Sequence, residues 1–370
     1  MSVDFNAIEL FSGAGGLSIG LEKAGFQVQL ANEIEKDFAA TFSFNHPAAR
    51  MINADIHEID FSSEVKKLGC GKIHLVSGGP PCQGFSTVGS KNKRDPRNSL
   101  FQEYLRAVSE IEPDYILFEN VSGFKKLYEG DIYGSLISEL SQLGYKTSGG
   151  ILEASNFGLP QFRQRTIVIG WRHDRPEVAL PEPTHFDQLG LFAGKAKVTL
   201  IEAISDLPEI ESGGSADQYG LQPLTEYQNA MRFGCLALTE HNSAKHGEKM
   251  REILSLIPPG GSIEDLPQRL RPKGYFKNTY ARLVPHKPSP TITRNFGTPS
   301  SSRCVHPFQN RALSTREGAR LQGFPDRHVF LGAKTSKNLQ VGNAVPPIFG
   351  EIIAREIIQS LTGNRLRQAV

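Results

Sequence analysis

Cysteine and long apolar runs are scarce in this sequence, and each scarcity excludes a class of protein. Four cysteines in 370 residues are too few and too scattered for a disulfide framework or a zinc motif, and we expect no metal site. No apolar run approaches the roughly 20 residues that a membrane span needs. Asp4 and Glu9 interrupt the start, which does not resemble a signal peptide. These absences predict a reduced, cytoplasmic protein.

Net charge is also small, but it is unevenly distributed. The whole chain carries a formal charge of +2, whereas residues 261–330 hold 12 Lys and Arg against 4 Asp and Glu. The aromatic residues interleaved with this charge are Tyr275, Phe276, Tyr280 and Phe296. A segment with such an excess of positive charge and interleaved aromatic residues is typical of a nucleic-acid surface. An ordinary solvated face is the alternative, and composition leaves both open.

The most informative stretch runs from Ile73 to Ser86 and reads IHLVSGGPPCQGFS. Residues 73–76 predict a buried strand, and the glycines and prolines after them predict a fixed loop. Cys82 stands in this loop, so we interpret it as a nucleophile that is presented rather than packed. The alternative is a small apolar cysteine that fills a gap in the core; the loop-forming neighbours argue against it.

A glycine-rich turn near the start predicts a nucleotide site. The apolar strand from Ala7 to Phe11 leads into SGAGG and then into a helical pattern, the first unit of a doubly wound nucleotide-binding fold. Position 18 is Ser where the dinucleotide fingerprint has Gly. This difference weakens a pyrophosphate interpretation and argues against a dehydrogenase.

Acidic residues follow the next two predicted strands. Glu33 comes about 20 residues after the glycine turn, the position from which a carboxylate reaches ribose hydroxyls. Asp55 follows the strand 51–53 and is placed to accept a hydrogen bond from an adenine amine. Either acid alone is more often a helix cap or a surface charge, but together they indicate an adenosine.

Further polar residues accompany the later strands. Glu119 is predicted at the end of a buried strand. Gln161, Arg163 and Arg165 alternate before the strand 166–169, so all three are expected on one face, where a ligand or a salt bridge to Glu119 would satisfy them. The stretch between Ser86 and Arg97 is polar and basic, which predicts a mobile lid over an anionic substrate, with a disordered surface loop as the alternative.

A proline-rich, irregular stretch after about residue 174 indicates a domain boundary. We predict a first domain over residues 1–180, which carries the glycine turn and Cys82, and a second, irregular domain over 181–327, which holds much of the basic charge. A C-terminal segment, 328–370, is expected to return to the catalytic domain. Shortly before this segment, Ser314 and Glu317 predict a capping box at the start of a helix.

Six sequence blocks in a fixed order give the chain a family resemblance: ELFSGAGG, GGPPCQGFS, FENV, QFRQR, RALSTREGARLQGFP and QVGNAVPP. The chain resembles the carbon-5 family of cytosine-specific DNA methyltransferases, of the bacterial restriction-modification type, over nearly its whole length. The resemblance implies an α/β fold, with the Rossmann-like, mixed and mostly parallel sheet of S-adenosylmethionine-dependent methyltransferases and a second, smaller, irregular target-recognition domain. It also implies S-adenosylmethionine as cofactor and double-stranded DNA as substrate.

Chemistry and resemblance agree on a mechanism. Carbon 5 of cytosine is too weak a nucleophile to take a methyl group from a sulfonium, so an enzyme first adds a nucleophile at carbon 6. Cys82 is the group for this addition, and Arg163 and Arg165 would favour its thiolate. A protonated Glu119 at ring nitrogen 3 and Arg165 at the exocyclic oxygen would stabilise the negative charge that attack builds on the ring.

The resemblance also implies residues that contact the ligands. Around the cofactor these are Phe11, Gly13, Gly15, Glu33, Asp55, Ile56, Leu100 and Asn343. The candidate DNA contacts are Gln83, Ser86, Arg94, Arg97, Arg294 and Arg303, of which the last two are candidates for guanine edges. The target base must leave the duplex to react, and the loop 86–97 would close over it.

The expected partners follow from this assignment. We expect a monomer that works on DNA of the nucleoid, with a cognate restriction endonuclease acting separately. An RNA (tRNA) cytosine-5 methyltransferase of the same family is the first alternative. A DNA-binding protein without catalysis is the second, and the presence of Cys82, Glu119 and Arg165 together argues against it.

Overall fold

A computed structural model of the chain describes residues 5–81, 100–187, 194–276, 278–300 and 303–363, apart from the side chains of 127–129. Contacts divide the chain into two compact units. The first comprises Met1–Glu153, Gln164–Glu182 and Pro347–Val370, and the second comprises Ala154–Arg163 and Pro183–Pro346. The boundaries at residues 180 and 327 stay predictions of where catalysis and DNA recognition divide.

Within its described residues the first unit contains a seven-stranded sheet. In chain order the strands are β1 (Phe5–Leu10), β2 (Phe26–Asn32), β3 (Arg50–Ile52), β4 (Leu75–Gly78), β5 (Tyr115–Val121), β6 (Tyr145–Glu153) and β7 (Gln164–Arg172). They lie in the order β3-β2-β1-β4-β5-β7-β6, and β7 runs antiparallel to both of its neighbours while the other pairs are parallel. The predicted mixed, mostly parallel sheet is confirmed.

The strand order reverses between β1 and β4. Leu10 pairs with Gly78 across these two strands, so both strands end at the same edge of the sheet. In doubly wound sheets, ligands bind in the crevice at the carboxyl ends of the strands where the order reverses. The glycine turn after β1 and the Pro80-Pro81 segment after β4 both start at this point.

Strand β5 ends at Val121, within the stretch where the sequence predicts its end. The sequence places Glu119 at this end of the strand, and the antiparallel pairing with β7 continues past it to the pair of Val121 and Arg165. Glu119 therefore lies inside the strand, opposite Ile167. A hydrogen-bonded position holds the backbone of this carboxylate more firmly than a loop would.

The described helices are α1 (Gly16–Ala24), α2 (Lys36–Asn45), α3 (Phe61–Leu68), α4 (Leu100–Ile111), α5 (Asp131–Gln142), α6 (Leu200–Ile204), α7 (Glu226–Arg232), α8 (Glu248–Ser255), α9 (Thr315–Leu321), α10 (Lys334–Asn343) and α11 (Pro347–Thr362). Helices α1–α5 and α11 belong to the first unit. Helix α11 packs against α1, and Lys23 forms an ion pair of 2.8 Å with Glu351 between them. No helix among the described residues is long and apolar enough to cross a membrane.

An aromatic cluster in the core of the first unit fixes α4 on the sheet. The ring of Tyr104 meets that of Phe118 at 5.4 Å, and Phe118 meets Phe124 at 5.3 Å. The hydroxyl of Tyr104 donates to the carbonyl of Val76 in β4 over 3.3 Å. Burial of each such ring stabilises the fold by roughly 1.5–3 kcal/mol. The position of α4 therefore depends on apolar burial.

Short elements joined by irregular segments form the second unit, including the two-residue strands β8 (His185–Phe186) and β9 (Lys195–Ala196). Its interior contains ion pairs. Both Nη atoms of Arg311 donate to the carboxylate of Glu317 over 2.8 Å, and Arg320 pairs with Asp206 and Asp326. The predicted capping box of Ser314 and Glu317 is confirmed at the start of α9.

The basic segment 261–330 is a surface only in part. Arg282, Arg311, Arg316 and Arg320 are at most 3% exposed, so a third of the basic residues counted there serve the interior. Tyr280 and Phe296 are buried as well, whereas Tyr275 and Phe276 are exposed. Both interpretations that the sequence left open, a nucleic-acid surface and a solvated face, therefore apply only to the exposed part of this charge. A charge count cannot distinguish a solvated arginine from one that binds carbonyls inside the protein.

Candidate functional site

The turn after β1 is held in a strained conformation. Phe11 has φ of 54°, Gly13 has φ of 57° and Gly15 has φ of 87°. This left-handed region suits glycine, but Phe11 carries a side chain, and a non-glycine residue there costs of order 1–3 kcal/mol. Such strain is concentrated at ligand sites. The ring of Phe11 is half-buried and packs on the core cluster of the sheet.

Glu33 connects the end of β2 to the glycine turn. Its Oε2 accepts a hydrogen bond from the backbone N–H of Gly13 over 2.8 Å, and its Oε1 accepts one from the N–H of Glu35 over 2.8 Å. The residue is 8% exposed. Burial raises the pKa of the Glu33 carboxyl above its ordinary value, against the effect of these two hydrogen bonds. The structure thus brings together Gly13 and Glu33, two of the residues predicted to contact the cofactor.

Ser18 and Glu9 explain the difference from the dinucleotide fingerprint. The hydroxyl of Ser18 donates to the carboxylate of Glu9, which lies in β1 with 2% exposure. Burial raises the pKa of the Glu9 carboxyl to about 8. Ser18 therefore ties the first turn of α1 to β1 through a buried hydrogen bond. Sequence reasoning missed Glu9, since an acid in a short strand gives no sign of whether it is buried.

Asp55 caps the short 3-10 turn Ile56–Glu58 beyond β3. Its Oδ1 accepts hydrogen bonds from the backbone N–H of His57 over 3.1 Å and pairs with Nδ1 of the same residue at 2.6 Å. These bonds from His57 lower the pKa of the Asp55 carboxyl. Ile56 is 3% exposed and belongs to the core cluster against which Phe11 and Leu100 pack. The turn is therefore anchored by the apolar side chain of Ile56 and preceded by the half-exposed carboxylate of Asp55.

These groups fit an adenosyl ligand. The cluster supplies an apolar wall from Phe11, Ile56 and Leu100. A buried carboxylate suits a ribose diol, and a half-exposed one beyond the neighbouring strand suits an exocyclic amine. Asn343, the eighth residue predicted for this pocket, is the last residue of α10 in the second unit and is exposed.

Glu119 and Arg165 form an ion pair at the same edge of the sheet. Nε of Arg165 lies 2.7 Å from Oε1 of Glu119, and the two side chains are 14% and 8% exposed. The antiparallel pairing of β5 with β7 brings them together, because Arg165 lies two register positions from Ile167, the partner of Glu119. The predicted salt bridge between them is confirmed, which is compatible with either a structural or a catalytic role.

Asn120 is a residue of this region to which sequence reasoning gave no role. Its Nδ2 donates to the carbonyl oxygen of Pro80 over 2.9 Å, and the residue is 4% exposed. The bond joins β5 to the segment that leads to Cys82. A signal was present in the sequence, because an amide beside a buried acid in FENV needs a buried partner of its own.

Arg163 binds carbonyl groups of the second unit. Its Nη1 donates to Ile292, and its Nη2 donates to Gly342 and Ala344, over distances of 2.9–3.2 Å. The predicted alternation holds, since Gln161 and Arg163 are both buried while Phe162 and Gln164 between and after them are exposed. The structure therefore gives Arg163 a part in shaping the second unit, and its effect on a thiolate stays a prediction.

Several predicted residues lie outside the described residues: Cys82, Gln83, Ser86, Arg94 and Arg97. Of the other DNA candidates, Arg294 is exposed in the second unit. Arg303 is exposed too, and its Nη2 donates to Oδ1 of Asn278 over 3.4 Å. Both side chains are accessible in the way that contact with a polyanion requires.

Sheet order, glycine turn and acids beyond β2 and β3 define the fold of S-adenosylmethionine-dependent methyltransferases. A family model described as C-5 cytosine-specific DNA methylase matches residues 5–359. The chain belongs to the C-5 cytosine-specific DNA methylase family. It is accordingly an enzyme, a DNA cytosine-5 methyltransferase, and the family resemblance found in the sequence is confirmed.

Individual relatives agree with this membership. The chain is 37% identical to the type II methyltransferase M.DdeI of Desulfomicrobium norvegicum, with 95% of this chain and 88% of the relative covered. It is 34% identical to the type II methyltransferase M1.HphI of Haemophilus parahaemolyticus, with 96% and 87% covered. Among solved structures it is similar to a DNA modification methyltransferase encoded within an E. coli prophage, at 26% identity and a TM-score of 0.77, covering 97% of this chain and 100% of the other.

Proposed function

We propose that this enzyme methylates carbon 5 of a cytosine within a specific double-stranded DNA sequence, with Cys82 as the nucleophile and S-adenosylmethionine as the methyl donor. The observation that carries the proposal is the Glu119–Arg165 pair on β5 and β7, next to the bond from Asn120 to Pro80. Together they supply an acid on β5, a cation on β7 and a fixed peptide at Pro80, in the segment that leads to Cys82. These are the parts that addition to a pyrimidine needs.

In the reaction, the sulfur of Cys82 forms a bond to carbon 6 and the electron pair of the 5,6 double bond moves to carbon 5. Glu119 donates a proton to ring nitrogen 3, and Arg165 stabilises the charge at the exocyclic oxygen. S-adenosylmethionine, when bound, supplies an electrophilic methyl group at carbon 5. Loss of the carbon 5 proton to solvent then expels the Cys82 thiolate and restores the 5,6 double bond, and ring nitrogen 3 returns its proton to Glu119.

The cofactor assignment rests on the groups around the glycine turn. Phe11 stacks on the adenine, and Glu33 binds the ribose hydroxyls. The backbone of Gly13 and Gly15 lies beside the methionine part of the cofactor. The strained backbone of Phe11 and the bond between Glu33 and Gly13 support this arrangement. The remaining contacts are assigned to Asp55, Ile56, Leu100 and Asn343.

DNA is the proposed partner, and it binds through the second unit and the loop 86–97. Exposed Arg294 and Arg303 support the first part, since phosphate and guanine contacts need accessible guanidinium groups. The remaining proposed contacts are Gln83, Ser86, Arg94 and Arg97. We further propose a cytoplasmic monomer acting on nucleoid DNA as the methylating partner of a separate restriction endonuclease, as the type II names of the relatives suggest.

The nucleophile is tested by trapping it. Duplex DNA that carries 5-fluorocytosine at the target site should form an adduct with the enzyme that survives denaturation when cofactor is present, because fluorine cannot leave as the proton does. Cys82→Ala should abolish both the adduct and methyl transfer while DNA binding persists. Cys235→Ala, at a half-buried cysteine of the second unit, is the matched control and should retain both. An adduct with Cys82→Ala would refute the assignment.

The RNA alternative is tested with the same preparation. Label from the methyl group of the cofactor should enter duplex DNA and not tRNA, in agreement with the family to which the chain belongs. Sequencing the methylated cytosines in DNA from cells that express the chain then gives the recognition sequence. Transfer to tRNA alone would select the RNA enzyme.

A further inference from the structure

Arg106 connects helix α4 to the turn that carries Asp55 and Ile56. Its Nη2 donates to the carbonyl oxygen of Ile56 over 2.7 Å, and its Nη1 donates to the carbonyl oxygen of Ile59 over 2.9 Å. Ile56 begins the 3-10 turn, and Ile59 follows its last residue. One planar guanidinium therefore holds the main chain at both ends of the turn, a geometry that the single ammonium of lysine cannot reproduce.

Two carboxylates of the same helix fix the guanidinium in place. Nε of Arg106 lies 2.7 Å from Oε2 of Glu103, and Nη1 lies 2.6 Å from Oε1 of Glu110. The other oxygen of Glu110 accepts from the backbone N–H of Phe61 over 2.9 Å, and the guanidinium carbon lies 5.6 Å from the centre of the Phe61 ring. Both ends of the segment from Ile56 to Phe61 are thus bonded to α4.

A polar chain continues from this cluster to Asp55. Nε2 of His57 lies 3.9 Å from Oε1 of Glu103, while Nδ1 of His57 lies 2.6 Å from Oδ1 of Asp55. The connected groups are Asp55, His57, Glu103 and Arg106. The Asp55 carboxylate is thus linked to α4 through His57, by a contact with Glu103 at ion-pair distance rather than by a hydrogen bond.

The competing explanation for these bonds is that Arg106 only stabilises the packing of α4 against the turn Ile56–Glu58. Helix α4 is already fixed by apolar burial, with Tyr104 and Val108 fully buried in the core cluster. Arg106 is 32% exposed, and partly exposed ion pairs contribute little to stability. Its bonds go to the two main-chain carbonyls that set the path of the turn. The arrangement is better suited to fixing the turn than to holding the helix.

We propose that Arg106 is a positioning residue for recognition of the cofactor adenine, because it fixes the turn Ile56–Glu58 so that Asp55 and Ile56 meet the base. This inference rests on the proposed function of the turn. It predicts that loss of Arg106 weakens the contact with the 6-amino group specifically, while the ribose contact of Glu33 is retained.

The test compares two ligands by isothermal titration calorimetry with the full-length enzyme. S-adenosylhomocysteine carries the 6-amino group, and S-inosylhomocysteine carries an oxygen in its place. Wild type should prefer the adenosyl ligand. Arg106→Met should weaken binding of the adenosyl ligand by about tenfold, a loss of about 1.4 kcal/mol, and should change binding of the inosyl ligand much less. Arg355→Met, which removes a partly exposed ion pair with Glu351 in α11, is the matched control and should change neither.

The outcomes separate the inference from the proposed function. Equal weakening of both ligands, or no weakening, would overturn the role of Arg106. Wild type that binds neither ligand, or that does not distinguish them, would overturn the adenine assignment of the turn itself. If Arg106→Met fails to fold, Arg106→Lys keeps the charge beside Glu103 and Glu110 but reaches only one carbonyl. It should show the same loss of discrimination, with kcat at saturating cofactor within about threefold of wild type.

Discussion

Nδ2 of Asn120 donates to the carbonyl oxygen of Pro80 over 2.9 Å, so that strand β5 fixes the backbone two residues before Cys82. The neighbouring residue, Glu119, pairs with Arg165 at 2.7 Å on the other side of the same strand region. A single strand thus connects the segment that leads to Cys82 with the carboxylate that we propose as the general acid. This connection makes the path of the main chain at Pro80 dependent on a buried amide.

We predict that Asn120→Ala reduces kcat without weakening cofactor binding. Loss of the amide leaves the carbonyl of Pro80 without this donor and frees the segment that leads to the nucleophile, and small displacements of reacting groups reduce rates by about a hundredfold. Single-turnover methylation measures the effect, and calorimetry with S-adenosylhomocysteine measures cofactor binding. Asn45→Ala, which removes an amide bonded within α2, should leave the rate unchanged. A normal rate for Asn120→Ala would show that Pro80 is held by other means.

Glu119→Gln should reduce the methylation rate by roughly 10²–10⁴-fold, the usual contribution of general acid catalysis. The amide still accepts a hydrogen bond from Arg165, so the fold and DNA binding should persist. Arg165→Lys should retain part of the activity, because a lysine keeps the charge and loses the planar geometry. The readouts are single-turnover kinetics and DNA binding by fluorescence anisotropy. Wild-type rates for Glu119→Gln would exclude this carboxyl as the acid.

Glu33→Gln should weaken binding of S-adenosylhomocysteine by about 10-fold to 100-fold, the loss expected for a charge-assisted hydrogen bond to a ribose hydroxyl. The bond that Glu33 accepts from Gly13 can persist with the amide oxygen. DNA binding in the absence of cofactor should not change. The control is Glu177→Gln, at an exposed position of the first unit, and equal affinities of both variants would remove Glu33 from the cofactor site.

Much of the fold was predictable because its signals are local. The glycine turn, the acids beyond β2 and β3 and the capping box of α9 each lie within a few residues of the element they define. The hydrogen-bond partners of Arg163 were not predictable. They are the carbonyl groups of Ile292, Gly342 and Ala344, which lie more than a hundred residues away in sequence. Alternation showed which way this side chain faces but not what it contacts.

The burial of arginines in the basic segment 261–330 was not predictable for a related reason. Arg282 is 3% exposed and donates to main-chain carbonyls that include those of Leu254 and Ile257 near the end of α8. In the sequence it cannot be distinguished from exposed Arg294. Whether an arginine is solvated or satisfied internally depends on which loops meet around it, and this is a tertiary property that charge counting does not contain.

The stability of the first unit should fall as pH rises through the neutral range because of Glu9. Its pKa is raised from an ordinary value of 4.5 to about 8, so between these values the folded chain keeps a proton that the unfolded chain has lost. Stability is then fully present below pH 4.5 and declines by at most about 1.4 kcal/mol per pH unit up to about pH 8. Glu9→Gln should flatten this decline in denaturant unfolding measured at several pH values. The same slope in Glu9→Gln and wild type would assign it to other groups.

Glu317→Gln should destabilise the second unit by about 3 kcal/mol, because it leaves Arg311 buried without its charged partner. Burial alone would raise the pKa of the Glu317 carboxyl, but Arg311 holds it well below its usual range. The stabilisation is therefore present at neutral pH and is lost as the pH falls below that range. Urea unfolding at neutral pH measures the cost. Glu226→Gln, which removes the exposed pair with Lys195, should unfold like wild type. If the two variants unfold alike, the Arg311–Glu317 pair does not stabilise this unit, and the RALSTREGARLQGFP block owes its role to something other than the buried ion pairs.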